Sequence, residues 1–144
     1  MSALLSNVVL GASVIAWVVA QILKFLVVLV RERRFDLARL VGAGGMPSSH
    51  TAFVSALATA TGRMVGWESP LFAVALVFAS IVVYDATGVR QAVGRQAEVL
   101  NKIIDDFYHN RSIHQARLRE LLGHSPVEAL AGVALGAAIA IIVT

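Results

Sequence analysis

From Asn7 to Val30 the chain runs through 24 residues with only Gln21 and Lys24 as strongly polar interruptions. Coiled as a helix at about 1.5 Å per residue, this stretch reaches roughly 36 Å, enough to cross a hydrocarbon layer of about 30 Å with some tilt. A helix of a soluble domain would show a polar face recurring every three or four residues, and this one does not. No basic region precedes the run, it is longer than the apolar part of a secretion signal, and further apolar segments follow. It is therefore read as a retained membrane helix. Composition agrees: 58% of the 144 residues are hydrophobic and 15% charged, with a mean hydropathy of +0.77. Soluble domains carry about 25% charged residues, so there is too little charge here to clothe a water-facing surface. The expected fold is all-α, a polytopic membrane helical bundle forming a single domain over residues 1–144.

Three more spans follow by the same reasoning. The second, about Ser49 to Val65, is rich in Ala, Ser, Thr and Gly, which suits close helix contact better than lipid exposure. A turn over Gly66 to Ser69 carries Trp67 where an interfacial anchor belongs, and Pro70 can open the third span, which extends to about Thr87. Between Gly88 and Leu122 the chain turns polar, yet Val99, Leu100, Ile103, Ile104 and Phe107 recur at helical spacing. This predicts an amphipathic helix on the cytoplasmic side, lying on the membrane surface or docked on protein. The last span starts at Ser125 or Pro126, with Gly132 and Gly136 as a small-residue contact face. Four transmembrane helices plus one cytoplasmic amphipathic helix is the resulting expectation.

Charge gives the orientation. Of the twelve Lys and Arg, ten fall in the segments after the first and third spans: Arg31, Arg33, Arg34, Arg39, Arg90, Arg95, Lys102, Arg111, Arg117 and Arg119. Basic loops favour the cytoplasm, so both chain ends are expected on the non-cytoplasmic side of an inner, cytoplasmic membrane. The net charge of +3 flanks apolar spans and forms no stripe on a soluble helix, which points to an anionic lipid surface and to no nucleic acid. With no Cys, thiolate catalysis, disulfides and cysteine metal sites are excluded. The Gly- and Ala-rich faces of a thin bundle invite a second copy, so a homodimer is expected.

On this arrangement Lys24, Arg31, His50, Asp85, Arg90, His124 and Glu128 all fall near the cytoplasmic ends of their spans. Charge at that depth is costly unless paired, hydrated or used, and the shared depth marks a candidate site. Each member also has an ordinary reading. In Pro47-Ser48-Ser49-His50 a serine caps the helix, and its free backbone donors could face an anion while His50 supplies a proton; a plain cap beside an interfacial histidine is the alternative. In His124-Ser125-Pro126-Val127-Glu128 the carboxylate either orients the imidazole four residues away or completes a capping box with Ser125. Lys24 and Arg31, nearly two helical turns apart, would neutralise a phosphate together, or else snorkel and obey the charge rule separately. Asp85 would position a cation or help hold a divalent ion, and Arg90 would bind phosphate. His109 and His114 lack ligand spacing and read as surface residues; Gln96 and Asn101 would orient site groups or simply pack and hydrate.

At these residues the chain resembles the divergent PAP2 family, membrane proteins related to phosphatidic-acid phosphatases and vanadium-dependent haloperoxidases. Three blocks in order carry the resemblance: Gly45-Met46-Pro47-Ser48-Ser49-His50-Thr51-Ala52, Asp85-Ala86-Thr87-Gly88-Val89-Arg90, and Leu122-Gly123-His124-Ser125-Pro126-Val127-Glu128. The spacing of Lys24 and Arg31 is similar to the wider family's first motif, with Glu32 where that motif has Pro. Ser49 stands where it has Gly, Glu128 where it has Asp, and Leu118, between Arg117 and Arg119, where it has Arg. The resemblance implies a phosphatase in which His124 attacks phosphorus and forms a phosphohistidine, Glu128 orients it and His50 protonates the leaving alcohol. Lys24, Arg31, Arg90 as the stand-in arginine and the backbone at Ser48 and Ser49 would stabilise the phosphoryl oxygens. No metal is required by that chemistry, with Mg²⁺ at the Asp85 region as the open alternative. A site at the cytoplasmic border with apolar walls implies a membrane lipid phosphate as partner, of phosphatidic-acid, phosphatidylglycerol-phosphate or polyprenyl-phosphate type. Retention of the anion-binding fold for lipid-phosphate binding or transport without hydrolysis is the competing expectation.

Overall fold

The computed structural model describes residues 6–32, 45–108 and 125–144. Among them there are five helices and no strand: α1 (Val8–Glu32), α2 (Ser49–Val65), α3 (Pro70–Thr87), α4 (Val89–Tyr108) and α5 (Pro126–Val143). Their starts follow from local capping. The Asn7 side chain accepts from the Leu10 N–H at 3.0 Å, and Ser69 accepts from Phe72 N–H at 3.2 Å ahead of Pro70. Such caps satisfy donors that no helical carbonyl can reach. At the end of α3, Gly88 alone separates α3 from α4, and its N–H still bonds to the Tyr84 carbonyl at 2.8 Å.

The bundle is built with small side chains inside and large ones outside. Along α1 the residues Ala12, Ala16, Ala20, Lys24 and Val28 recur every fourth position and are all buried, while Val14, Ile15, Val18, Ile22 and Leu26 are exposed. On α5 the buried set is Ala129, Gly132, Gly136 and Ala140; on α3 it is Ala75, Ala79 and Ala86. Lipid is as apolar as leucine, so large side chains gain little by turning inward, and helices associate through close packing instead. Buried hydroxyls stay cheap by bonding their own helix: Ser13 donates to the Val9 carbonyl at 2.8 Å and Thr61 to that of Leu57 at 2.7 Å.

Helix α2 is the hub, packed against α1, α3 and α5. One face joins Ala56 and Ala60 to Ala12 and Ala16 of α1 and Ala140 of α5; another joins Val54 and Ala58 to Ala75 and Ala79 of α3. The pairings make α1 and α3 antiparallel to α2. Helix α5 runs parallel to it, since Ser48 at the start of α2 meets Glu128 at the start of α5, and Arg63 near the end of α2 donates to the Thr144 hydroxyl at 2.8 Å. Among the described residues three helices, α1, α5 and the one beginning at Pro70, are long and apolar enough to cross a membrane. The fourth expected span, α2, has 17 residues and falls outside that description. It packs against the other three, and its composition of small residues answers to those contacts.

The amphipathic helix is present as α4. Gly94, Ala97 and Asn101 are buried, whereas Val99, Leu100 and Ile103 remain exposed. Asn101, for which surface hydration was one reading, is 4% exposed. Lys102 pairs with Glu98 at 2.8 Å on the exposed side.

Helices α2 and α5 approach each other backbone to backbone. A side-chain carbon at Gly132 would overlap the Thr51 hydroxyl and the Ser48 carbonyl, and one at Gly136 would overlap the Ala52 carbonyl. Replacing Gly136 by Val is expected to lower stability in detergent by about 1–3 kcal/mol, the usual cost of overpacking a tight contact. Gly11→Ala, where a Cβ meets nothing within 4 Å, is the matched control. Equal melting of the two variants would contradict the assignment of this contact.

Candidate functional site

The antiparallel and parallel pairings bring the end of α1, the start of α2, the end of α3 and the start of α5 to one end of the bundle. Two helix N-termini are tied together there. The Ser48 side chain caps α2, accepting from Thr51 N–H at 3.4 Å, and the Ser48 N–H donates to the Glu128 carbonyl at 3.1 Å. The Thr51 hydroxyl stands 3.0 Å from the Ala129 carbonyl and 3.2 Å from that of Ser48, so its single proton bridges the two helices. On α5 the capping box is complete: Glu128 N–H donates to Ser125 Oγ at 3.3 Å, and Ser125 N–H donates to Glu128 Oε2 at 3.0 Å. Parallel N-termini in contact add their partial positive charges at one place, an arrangement that favours an anion.

Lys24 adds a full charge at this end. Its side chain is 1% exposed, which rules out the snorkelling reading, in which the ammonium would reach for water. Its stem lies along the backbone of Gly45, where an added Cβ would stand 3.2 Å from Lys24 Cγ. Gly45 also has φ of +88°, a conformation that side-chain-bearing residues rarely adopt. Glycine therefore serves both the turn into α2 and the seat of the lysine.

The remaining expected site residues are distributed as follows. Ser48 and Ser49 are buried at the head of α2. The expectation that the Ser48 backbone would serve a phosphoryl oxygen needs correction, because that N–H is taken by the Glu128 carbonyl. Glu128 is half-buried and realises the capping reading of its motif through Oε2. His50 is exposed and lines an apolar cavity with Trp17, Phe53, Val54, Phe78 and Val82. Asp85 is half-buried two residues before the end of α3, at the same end of the bundle. His124, His109, His114, Arg117 and Arg119 lie outside the described residues, as do the side chains of Arg31 and Arg90. Among the described residues no three His, Cys, Asp or Glu side chains form a group able to hold a metal.

Thr51 and the cavity beside His50 escaped the sequence reading. Thr51 follows the motif directly, but its bond to Ala129 spans 78 positions of chain and leaves no local signal. The cavity residues are ordinary apolar members of membrane spans. Only their one-face spacing on α2 sets them apart.

A family model described as the divergent PAP2 family matches residues 5–139. The chain is 41% identical over a 142-residue alignment to the uncharacterized membrane protein YuiD of Bacillus subtilis (strain 168), which covers 90% of this chain and 89% of that protein. No solved structure matches significantly.

The seat of Lys24 can be tested without reference to activity. Gly45→Ala is expected to destabilise the protein by on the order of 1 kcal/mol from backbone conformation alone, and to weaken inorganic phosphate binding measured by calorimetry in detergent. Phosphate affinity equal to wild type would show that Lys24 does not depend on this turn.

Proposed function

The chain belongs to the divergent PAP2 family, and from that premise we propose that it is a membrane lipid-phosphate phosphohydrolase acting through a phosphohistidine. The observation that carries this reading is the bond between the two helix starts, Ser48 N–H to the Glu128 carbonyl, with buried Lys24 seated against Gly45 at the same end. It joins the histidine-bearing motif of α2 to the helix start that directly follows His124 in sequence. An anion at this end would meet two helix N-termini and an ammonium withdrawn from water, where electrostatic stabilisation is strong.

In the proposed mechanism an imidazole nitrogen of His124 attacks phosphorus, forming an N–P bond as the P–O bond to the lipid alcohol breaks. His50 gives its proton to the departing oxygen, so the alcohol leaves neutral. Water then attacks the phosphohistidine, surrendering a proton to His50, and inorganic phosphate is released with both histidines restored. Lys24, Arg31 and Arg90 hold the phosphoryl oxygens, and Ser49 supports them from the head of α2. Glu128, whose Oε2 serves the cap, orients His124. Asp85 positions one of the cations at this end; Mg²⁺ is not needed for any step. The site faces the cytoplasmic side of the inner membrane, with both chain ends on the opposite side, in keeping with the distribution of Arg and Lys.

A second reading, lipid-phosphate binding or transport without hydrolysis, is favoured by one feature. The Ser48 N–H and Glu128 Oε2 are both occupied in holding helices together, and this could leave a binding site short of catalytic groups.

Purified wild type is expected to release phosphate from at least one of a panel of lipid phosphates, and to carry an acid-labile phosphoryl label on rapid quench. His124→Ala should lose both, while His50→Ala should slow turnover by roughly 10²- to 10⁴-fold, the range for a general acid. Equal phosphate release from wild type and His124→Ala removes the nucleophile assignment. Binding without wild-type turnover establishes the second reading.

A further inference from the structure

The cavity beside His50, about 340 Å³, is one half of a longer feature. A second cavity of about 450 Å³ continues along the same side of α2 toward the opposite end, with Leu57, Thr61, Val65, Leu71 and Val74 in its lining, and Phe78 borders both. The α2 contributors, at positions 50, 53, 54, 57, 61 and 65, are spaced by three and four and so form one helical face. That face is the floor of a trough. Helices α1 and α3 are its walls, each packed on α2. From His50 to Val65 the floor extends about 22 Å at the rise of an α-helix.

We propose that this trough holds the hydrocarbon chain of a single-chain lipid phosphate, with the phosphate at the His50 end; the assignment rests on the function proposed above and specifies its substrate. Four features support it. The lining is apolar along its length, with His50 at one end, Asn7 at the other and Thr61 bonded to its own helix. Its walls carry exposed apolar side chains, Val74 and Phe78 on α3 and Trp17 on α1, so the trough opens toward lipid. Its length of about 22 Å exceeds one leaflet, about 15 Å or half the hydrocarbon core, so it suits a chain that passes the bilayer midplane. His50 stands where phosphate and tail would join. In the proposed hydrolysis it protonates the oxygen linking phosphorus to the tail, so the tail must begin beside it. This also accounts for an exposed His50 at an apolar cavity while Lys24 is buried in the bundle.

The test uses the full chain in nanodiscs of unlabelled phosphatidylcholine and a series of single-chain lipid phosphates, each with a photoreactive diazirine at a greater distance from the phosphate. Labelling mapped by peptide mass spectrometry is expected to move in register, from Trp17 and Phe53 for near diazirines to Leu71 and Val65 for far ones. A distribution independent of diazirine position, or centred on the outward residues Ile22, Ile81 and Ile142, overturns the proposal. A diacyl phosphatidic acid with diazirines at its chain ends is expected to label no farther than Phe78. Equal reach to Val65 overturns the single-chain assignment. Leu57→Trp, placed on the floor, should reduce labelling beyond it roughly tenfold, about 1.4 kcal/mol of binding, while near labelling persists; Leu57→Ala should not. None of these readouts needs turnover. A positional ladder without phosphate release therefore sinks the phosphatase reading alone, and phosphate release without a ladder sinks the trough alone.

Discussion

The contact between α2 and α5 sets the spacing on which the other features depend. Gly132 and Gly136 present bare backbone to the carbonyls of Ser48 and Ala52, and that proximity lets Ser48 N–H reach the Glu128 carbonyl and Thr51 reach that of Ala129. In a bilayer the apolar effect does not press helices together, so dispersion at short range and a few interhelical hydrogen bonds must do so. A single methyl group on either glycine would separate the two helix starts. The candidate anion site lies at those starts, and helix stability and site geometry thus rest on the same atoms.

The inside-out distribution of side-chain size has a second consequence. Helices that meet through Ala and Gly sit close on their shared faces, but their large side chains project from the flanks. Where α1 and α3 both pack on α2, those flanks stand up as walls and leave α2 as a floor between them. The trough is thus a by-product of small-residue packing, and its apolar lining follows from what a lipid-facing flank must be made of. Polar groups collect at one end because the chain reverses there after α1 and before α2 and α5, and helix starts need capping residues.

Lys24 shows how one residue can belong to both systems. It occupies the fourth place in the buried stripe Ala12, Ala16, Ala20, Lys24, Val28, a position that packing alone would give to alanine. A charged side chain withdrawn from water is costly unless something of opposite sign compensates it. Its seat against Gly45 ties that charge to the turn leading into α2. The same lysine in a lipid-facing position of α1, such as Ile22 or Leu26, would be free to reach for water and would contribute nothing to a site.

The apolar runs by themselves determined the all-helical membrane class, and the caps at Ser48 and Ser125 set the starts of α2 and α5, because both depend on residues adjacent in the chain. Charge spacing likewise marked the end of the bundle where polar groups gather. The run of Ala, Ser, Thr and Gly over Ser49–Val65 also marked α2 as a helix packed against others, but only the tertiary structure decided that those others are α1, α3 and α5, since such a run does not state which helices will surround it. It also decided that Ser48 spends its N–H on Glu128, that Lys24 is buried, and that His50 faces an apolar trough while its neighbours Ser48 and Ser49 turn inward. Those outcomes rest on bonds and contacts between residues far apart in sequence. Period and propensity report on one helix at a time and carry no record of its neighbours.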